Sequence, residues 1–133
     1  MGPEHRDPDP VGWAAAVLVD AAGILVFVGI GRHTHDHGVT LAGMTSTAWP
    51  FLAGAAVGWL GCRGWRAPGR LVPTGVAVWL SCVAVGMVLR VVSGQGTAPA
   101  FVVVALGFLG LELLGWRLVC ARVLHRRARR RPT

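Results

Sequence analysis

Four long apolar runs restrict this chain to one solvent. Val11 to Ile30 is broken only by Asp20, Val39 to Cys62 and Leu71 to Leu89 carry no charge, and Pro99 to Trp116 carries only Glu112. The hydrocarbon of a bilayer is about 30 Å thick and a helix rises about 1.5 Å per residue, so roughly 20 mostly apolar residues cross it. Strands of a membrane barrel would alternate apolar and polar positions over about ten residues, and these runs do not alternate. The fold class expected is all-α, a transmembrane four-helix bundle with up-down topology.

The runs occupy most of the 133 residues and leave no room for a separate soluble domain. Charged residues make up 14% of the chain, where a soluble domain carries roughly 25%. Residues 1–10 read as a disordered polar tail, residues 11–119 as a four-span domain, and residues 120–133 as a basic tail. The helices are expected at about 11–31, 39–62, 71–92 and 98–119. Pro50 is expected to kink or start the true second span, since it has no N–H and clashes with the preceding turn. Glu4, Asp7 and Asp9 outweigh Arg6 at the start. A secretory signal needs a basic n-region, so the first run is read as a retained span.

Orientation follows from arginine. With four spans, the N-terminal tail, the second loop and the C-terminal tail share one side and hold 11 arginines. The other side holds Arg32 and Arg90. The positive-inside rule then puts both termini in the cytoplasm of a multi-pass cell-membrane protein. Trp13, Trp65 and Trp116 fall near the inner interface, where indoles concentrate. The net charge of +7 sits at helix ends and in the tail from His125 to Arg131, with no recognition fold behind it. It reads as topogenic charge and contact with anionic lipids, not nucleic-acid binding.

Function is sought first at the acids. A carboxylate inside the bilayer costs several kcal/mol and faces the bundle interior. Asp20 lies about 10 Å above the inner interface and Glu112 about 7–8 Å above the same face. Helices 1 and 4 neighbour each other in an up-down bundle. The two acids are therefore expected as a pair sharing a proton, a relay opening to the cytoplasm. The alternative is an acid that serves only assembly, and for Glu112 this is the favoured reading.

Arg32 and Arg90 end helices 1 and 3 on the outer side. They form a candidate site for an anion or lipid headgroup, or are two interfacial arginines. His33, His35, Asp36 and His37 are too loosely spaced, in too short a connector, to indicate a metal site. Cys62, Cys82 and Cys120 are odd in number and widely separated, so they read as reduced packing residues. Gly54 and Gly58 make a small-xxx-small face, with Gly107 and Gly110 a second. No nucleophile or phosphate-loop motif appears; neither an enzyme nor a cofactor is expected.

Lys, Asn and Tyr are absent, a bias typical of a GC-rich bacterial genome. Asp20, Phe27-Val-Gly-Ile-Gly-Arg32 with His35, and Trp49-Pro-Phe51 with Gly54 and Gly58-Trp59 come in an ordered set. Trp79, Gly86, Leu89-Arg90, Phe101-Val-Val-Val104 and Gly115-Trp-Arg117 continue it. This set resembles the domain of unknown function 3054 family of actinobacteria and haloarchaea, over about Trp13 to Val119. The resemblance implies a compact four-span membrane protein. It highlights Asp20, Arg32, His35, Pro50, Phe51, Arg90 and Arg117, and omits Glu112.

The leading functional expectation is a small proton- or ion-coupled transporter using Asp20. The alternatives are a non-catalytic scaffold or accessory subunit on a larger membrane partner, or a lipid- or quinone-binding protein at Arg32 and Arg90. The partners expected are the bilayer, anionic lipids at the basic tail, and either a second copy or a larger membrane protein.

Overall fold

The computed structural model describes residues 11–34 and 38–130. Their four long helices are α1 (Trp13–Thr34), α2 (Leu41–Gly61), α3 (Val76–Val92) and α4 (Pro99–Arg130). A 3-10 turn, Gly64–Arg66, and a wider π-type turn, Leu71–Gly75, connect α2 to α3. No strand occurs among the described residues. The expected tail at 1–10 and His35 of the first connector lie outside them.

Three segments are long and apolar enough to cross a membrane: Trp13–His33, Leu71–Val92 and Pro99–Arg130. α2 has the length, but Thr45, Ser46 and Thr47 dilute its first turns, and it does not qualify on composition. The apolar surface points outward. Leu18, Leu60 and Leu111 are 69%, 69% and 74% exposed, an arrangement that water would penalise and hydrocarbon would not.

Contacts between successive helices run antiparallel. Trp59 of α2 meets Asp20 of α1, and Thr47 meets Arg32. Gly58 faces Val78, and Phe51 faces Gly86. Gly75, just before α3, faces Arg117 of α4, while Trp79 donates to the Leu106 carbonyl at 3.0 Å. α2 and α3 approach most closely, because Gly54 and Gly58 have no side chain to hold them apart. A Cβ on Gly54 would lie 2.8 Å from the Cys82 carbonyl oxygen, and one on Gly58 2.8 Å from the Val78 Cα. The Ser81 hydroxyl donates to the Gly54 carbonyl at 2.8 Å across this seam. Gly110 likewise packs on the Trp79 indole, whereas Gly107, expected beside it in one packing face, meets nothing within 4 Å.

Pro50 lies inside α2 and is buried. Its ring cannot donate to the carbonyl four residues back, which is that of Ser46. The Gln95 side chain, from the α3–α4 connector, donates to that carbonyl at 3.1 Å. Arg90 fixes Gln95 in turn, donating from Nη1 to Oε1 at 3.0 Å. A proline that would break an isolated helix is thereby stitched to another loop. Gln95→Ala is expected to lower stability by about 1 kcal/mol. In a Pro50→Ala background, where residue 50 regains its own N–H, that loss should shrink; a double-mutant cycle by thermal unfolding in detergent measures the difference, and an undiminished loss would refute the stitch.

α4 does not end with its apolar run near Val119 but continues to Arg130. Its 32 residues make a rod of about 48 Å, longer than the hydrocarbon is thick. The expected basic tail is thus largely helix. Arginine is a good helix former, and Arg127, Arg129 and Arg130 fall in the last turn, where cations oppose the negative end of the helix dipole.

Candidate functional site: a buried carboxylate and guanidinium

Asp20 and Arg117 are 2% and 0% exposed and meet in a bidentate pair. Arg117 Nη1 donates to Asp20 Oδ1 at 2.9 Å and Nη2 to Oδ2 at 2.8 Å. Two indoles complete the carboxylate's shell. Trp116 Nε1 donates to Oδ1 at 2.9 Å and Trp59 Nε1 to Oδ2 at 3.0 Å. Each oxygen therefore accepts two hydrogen bonds, and the charge is matched by an opposite one in the same plane.

The helix directions explain why residues so far apart in sequence meet. Side chains on a helix lean toward its N-terminus. α1 and α4 are antiparallel, so Asp20 and Arg117 lean toward each other from opposite levels. Arg117 lies back along its own helix, and its Nη1 also donates to the Leu113 carbonyl at 2.8 Å. Its Nε donates to the Pro68 carbonyl at 3.0 Å, tying α4 to the α2–α3 loop. Gly75 leaves room for the arginine stem, since a Cβ there would lie 2.9 Å from Arg117 Cδ. The guanidinium stands 4.4 Å from the Trp116 ring centroid and 5.8 Å from that of Trp59, within cation–π range. Just past α2, burial pushes the Cys62 thiol above its ordinary value, against the pull of the nearby Arg117 charge.

The expected pairing of Asp20 with Glu112 is therefore corrected. Asp20 takes its four donors from Trp59, Trp116 and Arg117. Glu112 sits against Gly23, one turn further along α1. Arg117 starts below Asp20 and reaches its level because its long side chain leans back along α4. A buried acid is also cheaper beside a cation than beside another acid. The roles of Trp59 and Trp116 had no local signal. An indole near a membrane interface reads first as an anchor, and only the packed fold turns its N–H toward a carboxylate.

At the opposite end, Arg32 and Arg90 each hold their own surroundings. Arg32 donates from Nε to the Gly38 carbonyl at 2.9 Å and from Nη1 to Thr47 Oγ1 at 3.0 Å. Arg90 donates to the Gly96 carbonyl from Nε and Nη2 at 3.0 and 2.7 Å, and stands 4.6 Å from the Phe101 ring centroid. The common ground of the two is α2, where Thr47 takes Arg32 and neighbouring Ser46 takes Gln95. His35, the third member of the expected outer cluster, lies outside the described residues. Among the described residues no three His, Cys, Asp or Glu side chains come together as a metal would require.

From the core out to Arg90 runs a cluster of aromatic rings. Phe27 has the rings of Phe51, Phe101 and Phe108 at centroid distances of 5.7, 6.1 and 5.4 Å. Phe51 and Phe101 are themselves 6.1 Å apart. Phe27 and Phe51 are buried, and Phe101 and Phe108 are half-buried against them.

Fold and site together define an all-α protein with three apolar segments long enough to cross a membrane, its first and last helices locked by a buried ion pair. The chain belongs to the family described as protein of unknown function DUF3054, whose model matches residues 17–120. The matched stretch includes Asp20, Trp59, Trp116 and Arg117. No curated protein and no solved structure matches it.

Proposed function

We propose that this protein is a non-catalytic accessory subunit of a cell-membrane assembly, crossing the bilayer four times with both termini in the cytoplasm. The observation that carries this reading is the saturation of Asp20. Its two oxygens already accept four hydrogen bonds, two of them from a fully buried arginine. A carrier carboxylate must exchange those bonds for a proton or cation in every cycle. Here that would strand a buried guanidinium. The geometry thus favours an acid that assembles the bundle over an acid that transports.

The four-span arrangement is supported by α2 itself. Its weakly polar first turns are held by Arg32 and Gln95, and its seam with α3 is tight. The excess of arginine at the Asp20 end supports cytoplasmic termini. The α4 rod then projects into the cytoplasm with Arg122, Arg126, Arg127, Arg129 and Arg130 exposed, where anionic headgroups are attractive partners.

The outer face of α4 supplies the seat for a partner helix. Gly107 and Gly115 meet nothing within 4 Å, and Leu111 between them is 74% exposed. Helices in a bilayer associate where small residues let backbones approach. Gly107→Leu is expected to leave the thermal midpoint of the isolated protein unchanged and to abolish stoichiometric co-purification of a membrane partner in mild detergent. Recovery of the wild type as a lone monomer would count against the proposal. So would proton-coupled uptake in proteoliposomes that Asp20→Asn abolishes without loss of folded protein.

A further inference from the structure

A groove of about 290 Å³ runs between α1 and α2 on their outward side, close to the lower end of ligand-site volumes, about 300 Å³. Its walls are Val17, Ala21 and Ile24 from α1 and Leu52, Ala56 and Leu60 from α2, with Asp20 and Trp59 at its floor. The wall residues follow helical spacing, so each wall is one continuous stripe. Arg117 neutralises Asp20, and the floor therefore presents no net charge to an apolar occupant.

The groove ends at a basic turn. Arg63 comes three residues after Leu60, in a left-handed conformation with φ of 53°. Its N–H donates to the Leu60 carbonyl at 3.4 Å, and its carbonyl accepts from the Arg66 N–H at 3.0 Å. That fixes where both arginines leave the backbone. Arg63 and Arg66 are exposed, and among the described residues neither side chain makes a hydrogen bond or ion pair. Trp13, one turn before Val17, and Trp65, between the two arginines, are 61% and 49% exposed. Indoles in that setting mark the headgroup level.

We propose that this groove is a site for an anionic phospholipid, with one acyl chain along the α1–α2 walls and the phosphate on Arg63 and Arg66. Charge complementarity selects the headgroup, since unpartnered guanidinium groups take phosphate in charge-assisted bonds. The aliphatic walls select the chain. A diffuse basic surface would attract anionic lipid without fixing a position; a groove that ends at arginines fixes both ends of the molecule.

The test is native mass spectrometry of the full chain released from micelles titrated with phosphatidylglycerol or with phosphatidylcholine. The wild type is expected to retain one phosphatidylglycerol and to retain phosphatidylcholine far less. Ala56→Phe fills the groove from an exposed position, and Arg63→Gln with Arg66→Gln removes the phosphate donors. Each is expected to reduce retention by about tenfold or more, the loss typical of a charge-assisted bond or an apolar seat. Arg122→Gln with Arg126→Gln, on the α4 rod, should leave it unchanged. Equal retention of the two lipids would overturn the proposal. So would retention that survives Ala56→Phe, or that is lost with the α4 arginines. A thermal scan verifies that Ala56→Phe is folded; if it is not, Leu60→Trp fills the same groove and is read in the same way.

Discussion

Arg117→Ala is expected to destabilise the protein by about 3–5 kcal/mol, the cost of removing one partner from a buried pair. The loss comes less from the missing attraction than from what stays behind. Asp20 keeps its two indole donors but remains a charge in the core with its cation gone. The Pro68 carbonyl also loses its donor, so the α2–α3 loop should loosen together with the α1–α4 contact. Arg117→Lys should recover only part of the loss, since an ammonium cannot fork onto both oxygens. The pair is specific in its demand but not irreplaceable. Buried ion pairs exchanged for apolar groups of similar size are often neutral or stabilising. Asp20→Leu with Arg117→Met should therefore stand well above either single variant. Chemical or thermal unfolding of the four proteins in one detergent gives the coupling directly. An Arg117→Ala protein within about 0.5 kcal/mol of wild type, the range of ordinary surface changes, would remove the pair from the account of this fold.

Gly54→Leu should be nearly as damaging, at about 3 kcal/mol, the upper range for overpacking a close contact. The first atom added would lie 2.8 Å from the Cys82 carbonyl oxygen and 2.9 Å from that of Ser81. Both are backbone, so no rotamer can relieve the clash, and α2 must move off α3. That movement also stretches the Ser81 hydroxyl bond to Gly54. Gly61→Leu on the same helix is the matched control, because a side chain there meets nothing within 4 Å. Equal melting temperatures for the two variants would show that the α2–α3 seam tolerates separation.

The hydropathy runs made the helices legible because each apolar stretch is continuous over a helix length. α2 was less legible, since its polar first turns depend on Arg32 and Gln95, which come from other parts of the chain. The end of α4 escaped for the opposite reason. A polar continuation of an apolar helix looks like a tail in hydropathy, although arginine sustains helix well. Asp20 announced itself as a buried acid, but its partner did not. Arg117 lies 97 residues away; the family resemblance singles it out, but nothing near it in the sequence ties it to Asp20. Pro50 reads in the sequence as a kink or a helix start because its missing hydrogen bond has no visible remedy there. The remedy, Gln95, is an unremarkable residue in a short connector until the helices have packed.

The distance in sequence between Asp20 and Arg117 has a consequence for biosynthesis. Ribosomes add about 5–20 residues per second, so roughly 5–20 s separate the emergence of the two side chains. Through that interval Asp20 lacks the guanidinium that pairs with it, and the chain made so far cannot bury Asp20 in its final form. Docking of the last helix against the first is then the event that gives Asp20 its cation. A chain ending before Trp116 would leave Asp20 with only Trp59 of its four donors.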